Sequence, residues 1–129
     1  MSLPFTSFPG TGNSQVKIKK SILVELNNAS VSPGFGTRFA HYVVKKFDYK
    51  LPLVVNFSKR NTKNTWGSAS RYKGNLNIYR WSVWVLIHEL GHIVTPTEIS
   101  PKGRRIVHGK TFGKNVTKIY EMWNEFNKI

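Results

Sequence analysis

The chain has 129 residues, no cysteine, and 20 Lys+Arg against 6 Asp+Glu, for a formal net charge of +14. That length suits one compact domain, and a 40% hydrophobic content is enough for a genuine core, which excludes a wholly disordered tail. Without cysteine there are no disulfides, thiolate metal sites or cysteine nucleophiles, so histidine and carboxylate are the strong metal ligands available.

The charge excess points to a polyanionic partner, nucleic acid first and an acidic membrane surface second, or else to a solvating surface. Residues 1–14 contain Pro4, Pro9, Gly10 and Gly12 and read as a flexible, irregular N-terminal arm. They carry no basic segment followed by an apolar one, and the longest apolar run, residues 83–87, is too short to cross a bilayer. The expectation is a soluble, cytoplasmic protein without a transmembrane segment, with residues 15–129 as a single domain.

In chain order, residues 15–26 carry Val16, Ile18 and the run Ile22-Leu23-Val24 and predict a strand. Ser32-Pro33-Gly34 predicts a turn. Phe39, Val43, Val44 and Phe47 then recur at helical spacing and predict an amphipathic helix over 37–47, with Arg38, Lys45 and Lys46 exposed. Residues 53–57 form a β-branched run and predict a core strand. Residues 66–72 and 75–79 flank Lys73-Gly74 and predict an antiparallel pair.

Residues 81–94 are apolar nearly all round, as in a helix buried on several sides, and Pro96 ends them. A basic loop is expected over 95–107. The last predicted helix, 110–127, places Phe112, Val116, Ile119, Trp123 and Phe126 on one face and Lys110, Lys114 and Lys118 on another. The sum is an α+β fold: a small mixed or antiparallel sheet with an active-site helix and a C-terminal helix.

The chemistry lies in His88-Glu89-Leu90-Gly91-His92, an H-E-x-x-H inside the apolar helix. Residues four apart share a helix face, so His88 and His92 can aim at one ion, while Glu89 stands beside them as a base for a water molecule. The acids number only Glu25, Asp48, Glu89, Glu98, Glu121 and Glu125, which gives the one inside the motif more weight. A catalytic zinc takes three protein ligands and keeps one position open. Candidates for the third are His108, Glu98, Glu121 and Glu125, with His41 far upstream. His108 is favoured. It precedes the final helix, where the helix dipole disfavours the imidazolium, and Gly109 and Phe112 would fix its position.

H-E-L-G-H followed by His108-Gly109-Lys110-Thr111-Phe112 resembles the SprT/Spartan-like zinc metallopeptidases, with their H-G-x-x-F context for the third histidine. Upstream, Trp66-Gly67-Ser68-Ala69-Ser70 and Gly74-Asn75-Leu76-Asn77-Ile78 resemble a block of the YgjP-type metal-dependent hydrolases, with Ala69 in place of a cysteine. The resemblance implies a zincin-like domain binding Zn²⁺ through His88, His92 and His108, with Glu89 as catalytic base. It also implies that the strand before the active-site helix, here Asn75, Leu76, Asn77, Ile78 and Tyr79, offers its edge to an extended peptide.

The function expected is a zinc-dependent endopeptidase acting on protein or peptide substrates, with DNA-associated proteins suggested by the charge. Tyr72, Tyr79 and Tyr120 are eligible to stabilise the oxyanion. The alternative is a basic nucleic-acid-binding protein that keeps a zincin fold with little or no peptidase activity. In it Trp66, Tyr72, Tyr79 and Trp81 would stack bases between Arg60, Lys63, Arg71, Lys73 and Arg80.

Overall fold

A computed structural model describes residues 18–59 and 65–127, and the expected N-terminal arm lies outside them. The elements are α1 (Lys20–Asn28), α2 (Pro33–Lys46), β1 (Val54–Phe57), β2 (Gly67–Ser70), β3 (Asn75–Ile78), α3 (Val83–Val94), β4 (Glu98–Ile99), β5 (Arg105–Ile106) and α4 (Lys110–Asn127). The fold is mixed α+β, with one sheet of three strands and one of two among the described residues. Among the described residues no helix is long and apolar enough to cross a membrane.

Four local readings are corrected. The segment expected as a strand over 15–26 is helical from Lys20 onwards. Leu23, Leu26 and Asn27 face inward at helical spacing while Val24 turns to solvent, and burial against α3 overrides the β-branched run. Ser32-Pro33-Gly34 starts a helix rather than a turn. The Ser32 hydroxyl accepts the Phe35 N–H, and Pro33 takes the first helical position, where its missing donor costs nothing. The basic loop contains the β4–β5 hairpin, closed through Gly103 at φ 83°.

The fourth correction concerns the sheet. Its order is β1-β3-β2, with β1 parallel and β2 antiparallel to β3. β1 is therefore an edge strand and not a core strand; Val54 is 52% exposed, while Val55 and Phe57 pack inward. The expected hairpin is present, with Ser68 opposite Asn77 and Ala69 opposite Leu76. At its turn Gly74 has φ 69° and packs against the Pro52 carbonyl, so a side chain would be both strained and obstructed.

α3 runs through the middle of the domain. Its N-cap is Ser82, whose hydroxyl accepts the Val85 N–H at 3.1 Å. One side of α3 lies on β2 and β3, and the others meet α1, α2 and α4. This is why its sequence is apolar nearly all round: every α3 residue except His92 is buried. Between α2 and α4, Phe35, Phe39, Trp123 and Phe126 meet mainly edge-to-face, with Phe39 and Trp123 centroids 5.0 Å apart. That cluster holds the C-terminal part of α4 on α2, and the first turns of α4 meet α3 through Phe112 and Val116 against Gly91.

Candidate metal centre

His88 and His92 project from successive turns of α3, with their Nε2 atoms 3.2 Å apart. Two nitrogens each bonded to a tetrahedral zinc at 2.0–2.1 Å are separated by about 3.4 Å, so the pair already stands at ligand spacing. His108 arrives from the segment before α4. Its ring centroid lies 5.0 Å from that of His88 and 5.1 Å from that of His92. One nitrogen from each of the three rings lies within 4.8 Å of the others. The buried Nε2 of His108 has no hydrogen-bond partner in the protein, as a nitrogen reserved for a metal would.

Phe112 is the common wall of the cluster. It stacks on His92 with centroids 4.6 Å apart and meets His88 and His108 at 5.2 and 4.9 Å. Three imidazoles packed on one another and on a phenyl ring are poor places for positive charge. Burial, with repulsion from His92 and His108, lowers the His88 pKa well below its ordinary value. His92 is lowered to about 4 by burial, then by His108 and by Arg105. Burial also lowers His108. All three rings are thus held neutral, the form that binds metal. The donor set of three neutral imidazoles suits zinc and other divalent transition ions.

Glu89 is 7% exposed yet lines the cleft beside the histidines. Burial raises its carboxyl from 4.5 to about 7, a value suited to taking and returning a proton near neutrality. The cleft has a volume of about 560 Å³. Residues 67–72 form one wall, His88, Glu89 and His92 the floor, and residues 95–97 and 105–108 the other wall. Tyr72 and Thr97 join the two walls through a 2.9 Å hydroxyl–hydroxyl hydrogen bond. Of the three tyrosines eligible for oxyanion stabilisation, Tyr72 lines this cleft, whereas Tyr79 and Tyr120 do not.

The other candidate ligands fall elsewhere. A Glu98 oxygen accepts the Thr111 N–H at 3.1 Å and so caps α4, where the helix dipole favours an anion. Glu121 and Glu125 are exposed on α4, and His41 is exposed on α2. The strand expected to offer its edge, Asn75 to Ile78, is the centre of the sheet: β1 and β2 occupy both of its edges. Tyr79, just beyond it, donates its N–H to the Trp66 carbonyl. The strand beside the cleft is β2, and among the described residues no strand pairs with its other edge.

Two glycines that bring the site together went unread in the sequence. A Cβ on Gly91 would meet Val116 Cγ2 at 2.7 Å and Phe112 Cε1 at 2.9 Å, so this glycine is what lets α4 approach α3. A Cβ on Gly67 would meet Glu89 Cγ at 2.9 Å, so β2 lies directly on the stem of the Glu89 side chain. Their positions inside H-E-L-G-H and W-G-S were the available signal. Comparison with family models, with curated proteins and with solved structures gave no match to this chain, so the functional reading rests on the site's own geometry.

Proposed function

We propose that this protein is a small zinc-dependent endopeptidase, similar in its centre to the SprT/Spartan-like enzymes. The observation that carries the reading is the convergence of His88, His92 and His108 beside the buried carboxylate of Glu89, at the floor of an open cleft. In this reading the three imidazoles hold Zn²⁺. When bound there, the ion supplies Lewis-acid activation of water and of the peptide carbonyl.

The residues of the chain supply the rest. Glu89 takes a proton from the attacking water and returns it to the departing amine, a task matched to a carboxyl titrating near 7. Phe112 holds the three rings in place, and the hydroxyl of Tyr72 is the candidate partner for the carbonyl oxygen. An extended peptide would pair with the free edge of β2, residues Gly67–Ser70, instead of β3. Main-chain pairing along β2 would carry the substrate past Glu89, which touches Gly67, towards Arg71 at the C-terminal end of α3.

The nucleic-acid reading draws on the +14 charge. The two tryptophans invoked for base stacking each carry a cation over one face, Arg80 over Trp66 at 5.1 Å and Lys59 over Trp81 at 4.9 Å. We therefore assign the charge to bringing the enzyme to polyanion-bound proteins, with a salt-dependent DNA affinity as its measure.

The deciding experiment is elemental analysis of purified wild type and His108→Ala, followed by proteolysis of an unstructured substrate with and without chelator. The reading requires one zinc per chain in the wild type, loss of metal by more than about 100-fold in affinity in the variant, and chelator-sensitive cleavage. Full proteolysis by a Glu89→Gln protein that still holds zinc would sink it.

A further inference from the structure

Both walls of the cleft are cationic, and the carboxylate lining it is the catalytic one. Arg105 stands on β5, exposed, three residues before His108. It is ion-paired with none of the described carboxylates; the acid on the neighbouring strand, Glu98, is turned to the Thr111 N–H. Across the cleft, Arg71 is held in place, donating from Nη1 to the Ile93 carbonyl at 2.7 Å and lying 5.6 Å from the Tyr49 ring. Among the described residues Glu89 is the sole acid along the walls and floor. A bound peptide therefore meets positive charge on either side of the cleft that holds the histidines.

We propose that the cleft selects peptides carrying an acidic side chain close to the scissile bond, and that Arg105 is the residue that selects it. The inference rests on the peptidase reading and deepens it. An exposed arginine adds little by attraction alone, but the full swing from an acidic to a basic substrate side chain joins attraction to repulsion. Arg71, already committed to Ile93 and Tyr49, would add background positive charge. Arg105 is the adjustable partner.

The test uses the zinc-loaded full chain and a set of quenched fluorescent peptides that differ at one position at a time, Glu, Gln or Lys, on each side of the cleavage point. At the selective position wild type should cleave the Glu peptide with kcat/KM about tenfold above the Lys peptide, the difference lying in KM. Arg105→Glu should reverse the ranking, and Arg105→Gln should flatten it. The same ranking in wild type and Arg105→Glu would overturn the proposal. So would an Arg105→Glu protein that ranks peptides normally but has lost affinity for a single-stranded oligonucleotide, since Arg105 would then serve a polyanion. If the zinc-loaded wild type cleaves no peptide at all, the peptidase reading fails separately. Binding of the Glu and Lys peptides to Glu89→Gln, read by fluorescence anisotropy, then decides the charge selection alone: equal affinities would overturn it.

Discussion

Gly91 and Phe112 meet where α3 crosses α4, and the Cβ that Gly91 lacks would stand 2.9 Å from Cε1 of the phenyl ring. The same ring stacks on His92 and touches His88 and His108. Helix contact and the geometry of the three-histidine cluster therefore share one side chain.

Gly91→Ala tests that link. Alanine favours a helix by up to about 1 kcal/mol over glycine, but here its methyl would push Phe112 and Val116 away. The expected net result is a destabilisation of about 1–3 kcal/mol together with weaker zinc binding. A chemical denaturation curve and a competitive zinc titration read the two effects. A variant that is more stable than wild type and binds zinc equally well would show that the helices can part without cost.

Glu89→Gln separates catalysis from stability. Peptidase activity should fall by about 10²–10⁴-fold with metal retained. The metal-free protein should change in the opposite sense. Because the folded carboxyl titrates near 7 instead of 4.5, the folded state holds its proton more tightly than the unfolded chain does. Its contribution to stability is lost as pH rises from 4.5 to about 7, and above 7 the buried charge imposes its full cost. Removing the charge should therefore stabilise the chelator-treated protein at pH 8, by up to about 3 kcal/mol. At pH 4 the two proteins should be close. Thermal melts at the two pH values check the sign.

The histidines act in the other direction. His92 titrates near 4 in the fold and His88 well below its ordinary value, whereas an unfolded chain takes up those protons near 6.5. As pH drops through that window the unfolded state binds more protons, so the metal-free protein should lose stability between pH 6.5 and 4. Glu89 opposes part of this loss, and Glu89→Gln should therefore show a steeper acid decline than wild type. Denaturant midpoints at half-unit pH intervals would reveal it. A flat profile would mean that the three rings are not buried together in the metal-free protein.

Glu98→Ala distinguishes a helix cap from a ligand. The carboxylate accepts the Thr111 N–H at 3.1 Å, so its removal should cost about 1 kcal/mol and leave zinc stoichiometry at the wild-type value. Loss of zinc in step with the substitution would put Glu98 in the metal's coordination shell instead.

The parts of this protein legible from the sequence were those set by local periodicity. H-E-L-G-H on an apolar run placed two imidazoles on one helix face, because 3.6 residues make a turn wherever the helix lies. α4 was readable from its apolar stripe, and the β2–β3 hairpin from Lys73-Gly74 and the flanking alternation. α1 was misread because Ile22-Leu23-Val24 suits a strand as well as a helix, and burial against α3 decides between them.

Residues distant in the chain were beyond that logic. His108 could be favoured among several ligands from its position before α4, but only packing brings its ring to 5.0 Å from His88. Strand order is likewise a tertiary property. β3 carries the more strand-like alternation, yet parallel pairing with β1 places it in the centre and leaves the edge beside the cleft to β2. The sequence alone determined the pair of histidines and the carboxylate between them, since these follow from one helix. The third histidine's approach, the burial that holds Glu89 near 7 and the two cationic walls depend on how α4, β2 and the β4–β5 hairpin close around that helix, which only long-range packing settles.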